Sequence, residues 1–333
     1  MRDLATEFEA ERDHLTAVAY RMLGSRADAE DAVQETWLRY ARALADPAAR
    51  AEIRELRGWL TTTTGRICLD LLRSARVRRE AYVGQWLPEP VISRLPDTPG
   101  LATPGAAGHL PDAGGFAPDP AERVTQTEEV GIALLVVLER LTPEQRVAFV
   151  LHDVFAVPFT QIAEVLHSTP TAARQLASRG RRAVAEGGPR HTADLAEQQR
   201  VVAAFLAATE SGDLDRLVAV LAPDVVFVGD GGGHAPSARN PVVGVLRVAR
   251  FALGLVRRTV LDTTGARALP VLVNGTLGLQ VEGEYRNHGR LRLVTWYTVA
   301  DGKITGIFHQ LNPEKLSQVP ALGPDAPQWP AQR

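Results

Sequence analysis

The sequence predicts a multidomain chain: two all-α domains, a helical bundle and a helix-turn-helix, followed by an α+β domain with helices packed on a curved antiparallel sheet. Three observations predict it. Apolar residues recur at helical spacing over 1–83 and again over 128–188. Between them, 84–127 shifts to Pro, Gly and small residues, including PDTPGLATPGAAGHLPDAGGFAPDP, too poor in apolar side chains to order itself. Over 196–316, helical segments give way to β-rich runs joined at Asn274-Gly275 and Asp301-Gly302, dipeptides suited to tight hairpin turns.

In the first domain, Leu15, Val18, Ala19 and Met22 form one stripe, ended by Gly24. A second helix starts near Ser25, turns Ala29, Val33, Trp37, Tyr40 and Leu44 inward and stops before Asp46-Pro47. A third runs from about Ile53 to Arg79 with Trp59, Leu60, Ile67, Cys68, Leu71 and Leu72 in its core face. Thr61 to Thr64 lower its helix propensity, so a kinked helix is expected. In the second domain Thr142 with Gln145 makes a capping box and Pro143 suits the first helical position. Helices Phe159 to His167 and Pro170 to about Ala185 follow, and Gly187-Gly188-Pro189 ends the domain. The third domain reads as two helices, a strand Asp224 to Val228, a helix from about Val242 to Arg257, and the hairpins. The Pro-rich tail 317–333 is expected to be disordered.

A chain of 333 residues that is 45% hydrophobic can bury a core in each part, which excludes a disordered or fibrous protein. A formal charge of -2 argues against a uniformly basic coat protein. One cysteine, Cys68, excludes a disulfide framework and fits a reducing compartment. No apolar run is long enough to span a membrane, and the charged start MRDLATEFEAERDH is unlike a signal peptide, so a cytoplasmic protein is expected. No metal and no cofactor is expected either.

The strongest local signal is Phe159 to Val184. A helix with Ile162, Ala163 and Leu166 inward meets a tight turn at Ser168-Thr169, then a second helix capped by Thr169. Ala173, Leu176, Gly180 and Ala183 face inward, leaving Arg174, Gln175, Ser178, Arg179 and Arg182 on a face without an acid. Arginine can grip phosphate or bind guanine bidentately, and glutamine can read adenine. A second basic patch, Arg66, Arg73, Arg76, Arg78 and Arg79, ends the third helix; cations there are also favoured by the helix dipole alone. The second helix shows the opposite sign, with Asp28, Glu30, Asp31 and Glu35 outward.

The segments DAEDAVQETWLRYARA (28–43) and RGWLTTTTGRICLDLLRSARVRRE (57–80) resemble region 2 of extracytoplasmic-function (ECF) RNA polymerase sigma factors. TPEQRVAFVLHDVFAVPFTQIAEVLHSTPTAARQLASRGRRAV (142–184) resembles their region 4. The last third is similar to a SnoaL-like, NTF2-type domain fused to one subgroup of these factors. Three motifs of that subgroup are present: WLPEP at Trp86, Leu87, Pro88, Glu89 and Pro90; DGGGH at Asp230, Gly231, Gly232, Gly233 and His234; and NPEKL at Asn312, Pro313, Glu314, Lys315 and Leu316. The subgroup carries Lys where His234 stands and Asp where Glu314 stands.

The resemblance implies the following roles. Asp28, Asp31, Gln34 and Glu35 would dock core RNA polymerase. Arg66, Arg73 and Arg76 would meet the minus-10 promoter element, holding an unpaired base and its phosphates; many ECF factors have Asn where Arg66 stands. Arg174, Gln175, Ser178, Arg179 and Arg182 would read the minus-35 element. The three motifs would contact one another, and the fused domain would regulate the factor in cis, with room in its cone for an unknown small ligand. The partners implied are core RNA polymerase and promoter DNA, with a monomer when free.

Two rivals come from other classes. A helix-turn-helix regulator would act without core polymerase. A SnoaL-like enzyme with a DNA-binding appendage would use Asp230, His234, Glu284, Trp296 and His309 as acid, base and stacking groups. The acidic face at Asp28 to Glu35 serves neither rival, so no catalytic residue is assigned. The run Gly229 to Gly233 lacks the Gly-Lys-Ser/Thr of a phosphate loop.

Overall fold

A computed structural model describes residues 4–45, 53, 55–80, 82, 84–95, 131–187, 193–286 and 289–329; the side chains of 75–80 and 133 lie outside that description. The chain forms two compact units, Met1–Ala81 with Pro118–Gly188, and Tyr82–Ala117 with Pro189–Arg333.

The first unit begins with a bundle of α1 (Leu4–Leu23), α2 (Arg26–Ala45) and α3 (Leu56–Glu80). Gly24, at φ 68°, supplies the left-handed residue that ends α1. Phe8, Leu15, Met22, Val33, Leu60 and Cys68 are buried between the helices, and Phe8 meets Trp37 edge-on at 5.1 Å. The expected kink in α3 is absent: the helix is uninterrupted. Its threonines are buried and their hydroxyls return to the backbone, Thr61 to Arg57 O (2.7 Å), Thr62 to Gly58 O (2.7 Å) and Thr64 to Leu60 O (2.9 Å). Thr64 also bonds Thr36 on α2 at 3.0 Å. With each hydroxyl satisfied, the β-branched run costs propensity without breaking the helix.

The same unit continues with α4 (Ile132–Leu138), α5 (Pro143–Phe149), α6 (Phe159–Val165) and α7 (Pro170–Gly187). The capping box at Thr142 and Gln145 forms as expected. Beyond Phe149 the helix widens into a π-turn, Val150–Val154, and closes with Ala156 at φ 54°. Gly180 lets α7 lie directly on α5, where a Cβ would stand 2.9 Å from Phe149 Cβ and 3.2 Å from Gln145 O.

In the second unit, α8 (Leu195–Ser211) and α9 (Leu214–Val220) are capped by Asp194 and Asp213, each accepting from a backbone N–H of the first turn. There follow β2 (Leu221–Asp230), β3 (Val242–Val243), α10 (Val245–Asp262), β4 (Thr263–Val273), β5 (Thr276–Tyr285), β6 (Gly289–Ala300) and β7 (Lys303–Gln310). Both hairpin turns form, with Asn274 and Gly275 at φ 49° and 78° and Asp301 and Gly302 at φ 51° and 69°. With β1 (Ile92–Ser93) at one edge, the sheet, in order β1-β4-β5-β6-β7-β2-β3, is mixed rather than purely antiparallel, because β2 pairs β7 in parallel. The core between sheet and helices holds Phe205, Leu217 and Val248 from the helices and Phe227, Tyr297 and Ile307 from the strands.

Part of the expected linker and most of the tail expected to be disordered are ordered here. Residues 84–95, which include the motif expected to dock, belong to the second unit, and β1 (Ile92–Ser93) pairs β4 at the sheet edge. Residues 317–329 of the tail are held by hydrogen bonds from Gln280 Nε2 to Pro320 O (2.7 Å), Arg267 Nη1 to Gly323 O (3.0 Å) and Ala268 N to Pro327 O (3.0 Å). Proline-rich sequence has little backbone entropy to lose, and neighbouring donors suffice to fix it. Most of the expected linker, 96–127, lies outside the described residues.

Candidate functional site

The three short motifs meet in one place within the second unit. The centre is Asp230, the last residue of β2, fully buried. Its carboxylate accepts from Lys315 Nζ (2.6 Å), Tyr82 Oη (2.6 Å), Leu87 N (2.8 Å) and Gly232 N (3.0 Å). An isolated buried carboxylate is costly, and one with a cation and several donors is not. Lys315 also donates to Leu87 O at 2.7 Å, and its ammonium sits 3.9 Å from the centroid of Trp86 and 5.0 Å from that of Tyr82.

The remaining partners close the cradle around the peptide. Gln310 Nε2 donates to Pro88 O at 3.3 Å, and Asn312 Nδ2 donates to Tyr82 Oη at 2.9 Å. Leu87, Pro88, Pro90 and Val91 are buried, while Trp86 and Glu89 are half-buried. Asn274 anchors the exit, accepting from Val91 N (3.1 Å) and donating its own N–H to Val91 O (2.8 Å). Burial, reinforced by the Asp230 charge, pushes the Tyr82 hydroxyl well above its ordinary pKa. The glycines of DGGGH are steric: a Cβ on Gly231 would strike Ala235 O, and one on Gly232, at φ 59°, would strike the Asn312 side chain. His234 and Glu314, the two departures from the subgroup pattern, lie at the exposed rim with Nε2 and Oε1 3.6 Å apart. Pro313 precedes Glu314 in the turn that brings Lys315 in, and Leu316 is buried. Tyr82 and Gln310 were not singled out by sequence, and Asn274 only as a turn residue; nothing short of the fold shows that they border the peptide.

In the first unit α7 exposes Arg174, Gln175, Ser178, Arg179 and Arg182 and buries Ala173, Ala177 and Gly180. Arg174 lies over the Phe159 ring at 5.1 Å, and neighbouring Arg181 is pinned to Asp153 at 2.6 Å. On α2, Asp31 and Gln34 are exposed and Asp28 and Glu35 half-exposed.

Two arginines expected at the minus-10 element face acids from the second helical set. Arg73 pairs with Glu144 at 3.0 Å, and Arg66 Nη2 stands 3.9 Å from Glu164. The side chain of Arg76 lies outside the described residues. A stronger tie is Arg146, which is 3% exposed and donates to Met22 O (3.0 Å) and Glu139 (2.6 Å). Arg146 is a contact that helical periodicity hid, because an arginine is expected to point outward.

The five residues considered for acid-base work do not gather. Asp230 is spent on the cradle; His309 lies on the adjacent β7, where its strand partner is Gly229 and Asp230 pairs with Gln310, so the two side chains project from opposite faces. His234 and Glu284 are exposed, and Trp296 is buried against Phe308 at 5.6 Å. No group of His, Cys, Asp and Glu suited to a metal occurs among the described residues, and none of their helices is long and apolar enough to cross a membrane.

Comparison with known proteins agrees with this layout. Residues 8–78 match the family Sigma-70 region 2, 132–184 match Sigma-70 region 4, and 202–307 match the SnoaL-like domain. The chain is 45% identical to ECF RNA polymerase sigma factor SigJ of Mycobacterium tuberculosis over 95% of its length and 94% of that protein's. It is 39% identical to the probable ECF RNA polymerase sigma factor SigI of the same species over 67% of this chain and 68% of that one. The crystal structure of M. tuberculosis SigJ superposes with a TM-score of 0.70 at 42% identity, covering 94% of this chain and 98% of that chain. The chain therefore belongs to the ECF RNA polymerase sigma factors, with a SnoaL-like domain fused after regions 2 and 4.

Proposed function

We propose that this sigma factor is regulated in cis by its SnoaL-like domain through the cradle around Asp230. Residues 1–83 would bind core polymerase through Asp28, Asp31, Gln34 and Glu35, and the minus-10 element through Arg66, Arg73 and Arg76. Residues 128–188 would read minus-35 through Arg174, Gln175, Ser178, Arg179 and Arg182. The free protein would be a cytoplasmic monomer, without catalytic residues, and the cone would admit a small ligand.

The observation that carries this reading is that WLPEP is gripped by DGGGH and NPEKL through one buried ion pair. In the sequence, Tyr82, the first gripped residue, follows the end of α3 at Glu80 by two positions. The Glu144 and Glu164 contacts occupy Arg73 and Arg66, and DNA phosphates must displace them. Run-off transcription with bacterial core polymerase tests the assignment. Specific initiation with the full chain and none with core alone is expected. Specific duplex binding without core would favour a regulator of another class, and turnover abolished by Asp230→Asn an enzyme.

A further inference from the structure

In the first unit, one side of α7 is braced by a run of side chains that starts in the π-turn and ends at the first residue of α6. Arg174 and Arg181 are seven residues apart, so they lie two turns from each other on the same side of α7. Asp153 Oδ1 accepts from Arg181 through Nε (2.8 Å) and Nη2 (2.6 Å). Asp153 Oδ2 stands 3.5 Å from His152 Nδ1, and the His152 ring stacks on Phe159 at 4.0 Å and 14°. The arc closes on Arg174, whose guanidinium carbon lies 5.1 Å from the centroid of the Phe159 ring.

The local backbone makes the arc possible. His152 and Asp153 belong to the π-turn Val150–Val154, whose wider bonding takes in an extra residue and re-aims the side chains. Ala156, at φ 54°, turns the chain back and donates its N–H to His152 O at 3.0 Å. Phe159 then opens α6 as a half-buried residue whose ring reaches α7.

The two ends of the arc are held by different chemistry. Arg181 is neutralised by a carboxylate. Arg174 is exposed, no carboxylate pairs with it among the described residues, and an aromatic ring holds it instead. A carboxylate would occupy the guanidinium N–H groups and compete with a DNA phosphate. A ring takes the guanidinium by its face and leaves the in-plane N–H groups free for a phosphate or a guanine edge. It also restricts, before binding, a long side chain that would otherwise lose its rotamer freedom on binding.

We propose that Phe159, backed by His152, is a positioning residue that holds Arg174 in the orientation with which α7 engages minus-35 DNA. The inference rests on the minus-35 reading and adds to it two residues that lie outside α7. Its test uses holoenzyme assembled from the full chain and bacterial core polymerase on a promoter fragment that supports initiation. The quantity read is the promoter concentration giving half-maximal run-off. Phe159→Leu, apolar but without a ring, should raise it by about threefold to fivefold, the weight of one exposed cation–π contact. Phe159→Tyr, which keeps the ring face, should hold the wild-type value. His152→Ala should act in the same direction by a smaller factor, and it carries the test if Phe159→Leu does not fold.

In an Arg174→Ala background neither change should have any further effect, because nothing is left to position. A ring that only supported the fold would show its full loss in both backgrounds. That additivity, or wild-type promoter use by the folded single variants, would overturn the proposal and leave the minus-35 reading in place. Wild-type promoter use by Arg174→Ala itself would remove Arg174 from the minus-35 reading and the proposal with it.

Discussion

At the scale of single residues the cradle rests on one charge pair. Asp230 is fully buried and Lys315 is 9% exposed, so neither charge can fall back on water when the other is removed. Lys315→Met is expected to destabilise the second unit by about 3 to 5 kcal/mol, the usual cost of orphaning a buried ion. Urea unfolding followed by far-ultraviolet circular dichroism reads it; a change below ~1 kcal/mol would mean that Asp230 is adequately held by Tyr82, Leu87 N and Gly232 N alone. A second residue-scale effect concerns pH. His14 has its pKa lowered to about 4 by burial, with Arg57 and Arg21 adding to the effect. The unfolded imidazole titrates near ~6.5, so between those values the unfolded state holds more protons than the folded one. Stability is therefore intact above pH ~6.5 and declines as the pH falls toward 4, and His309 acts in the same direction. Urea midpoints at pH 7.5 and 5.0 should differ in that sense, and His14→Gln should reduce the difference.

At the scale of elements, the contacts between the two helical sets of the first unit differ greatly in strength. Arg73 and Glu144 are 47% and 33% exposed, which puts their pair within about 1 kcal/mol. Arg146, almost wholly buried between Met22 O and Glu139, is another matter. Arg146→Met should cost several times more than Glu144→Gln in thermal unfolding, and equal costs would contradict this ranking. The recognition helix gives a functional counterpart. Arg179→Ala is expected to weaken promoter engagement by about 1 to 3 kcal/mol while leaving core binding unchanged. Initiation on promoters with altered minus-35 sequence, alongside a core-binding assay, separates the two.

Much at this scale was legible in the sequence. The capping box at Thr142 and Gln145, the Asn274-Gly275 turn and the exposed face of α7 follow from local rules, because their partners lie within a few residues. What the sequence hid is long-range. The threonine run in α3 looked weak because propensity ignores the hydroxyl bonds that tertiary burial makes available. The parallel pairing of β2 with β7 joins strands far apart in sequence. The ordered tail depends on donors such as Gln280 and Arg267 at the sheet. The resemblance of three short motifs pointed to their meeting, whereas Tyr82, Gln310 and Asn274 became visible only once the cradle was assembled.

At the scale of the whole molecule, one chain carries a promoter-reading unit and a SnoaL-like unit that grips the segment next to region 2. The central claim is that this grip sets transcriptional output. The most direct measurement is the run-off yield of the full chain, of a chain ending after Gly188, and of the full chain carrying Asp230→Asn, each with the same core polymerase and promoter. The account predicts that the shortened chain differs from the full chain in yield, and that Asp230→Asn shifts the full chain toward the shortened one. Equal yields from all three, with specific initiation intact, would contradict it.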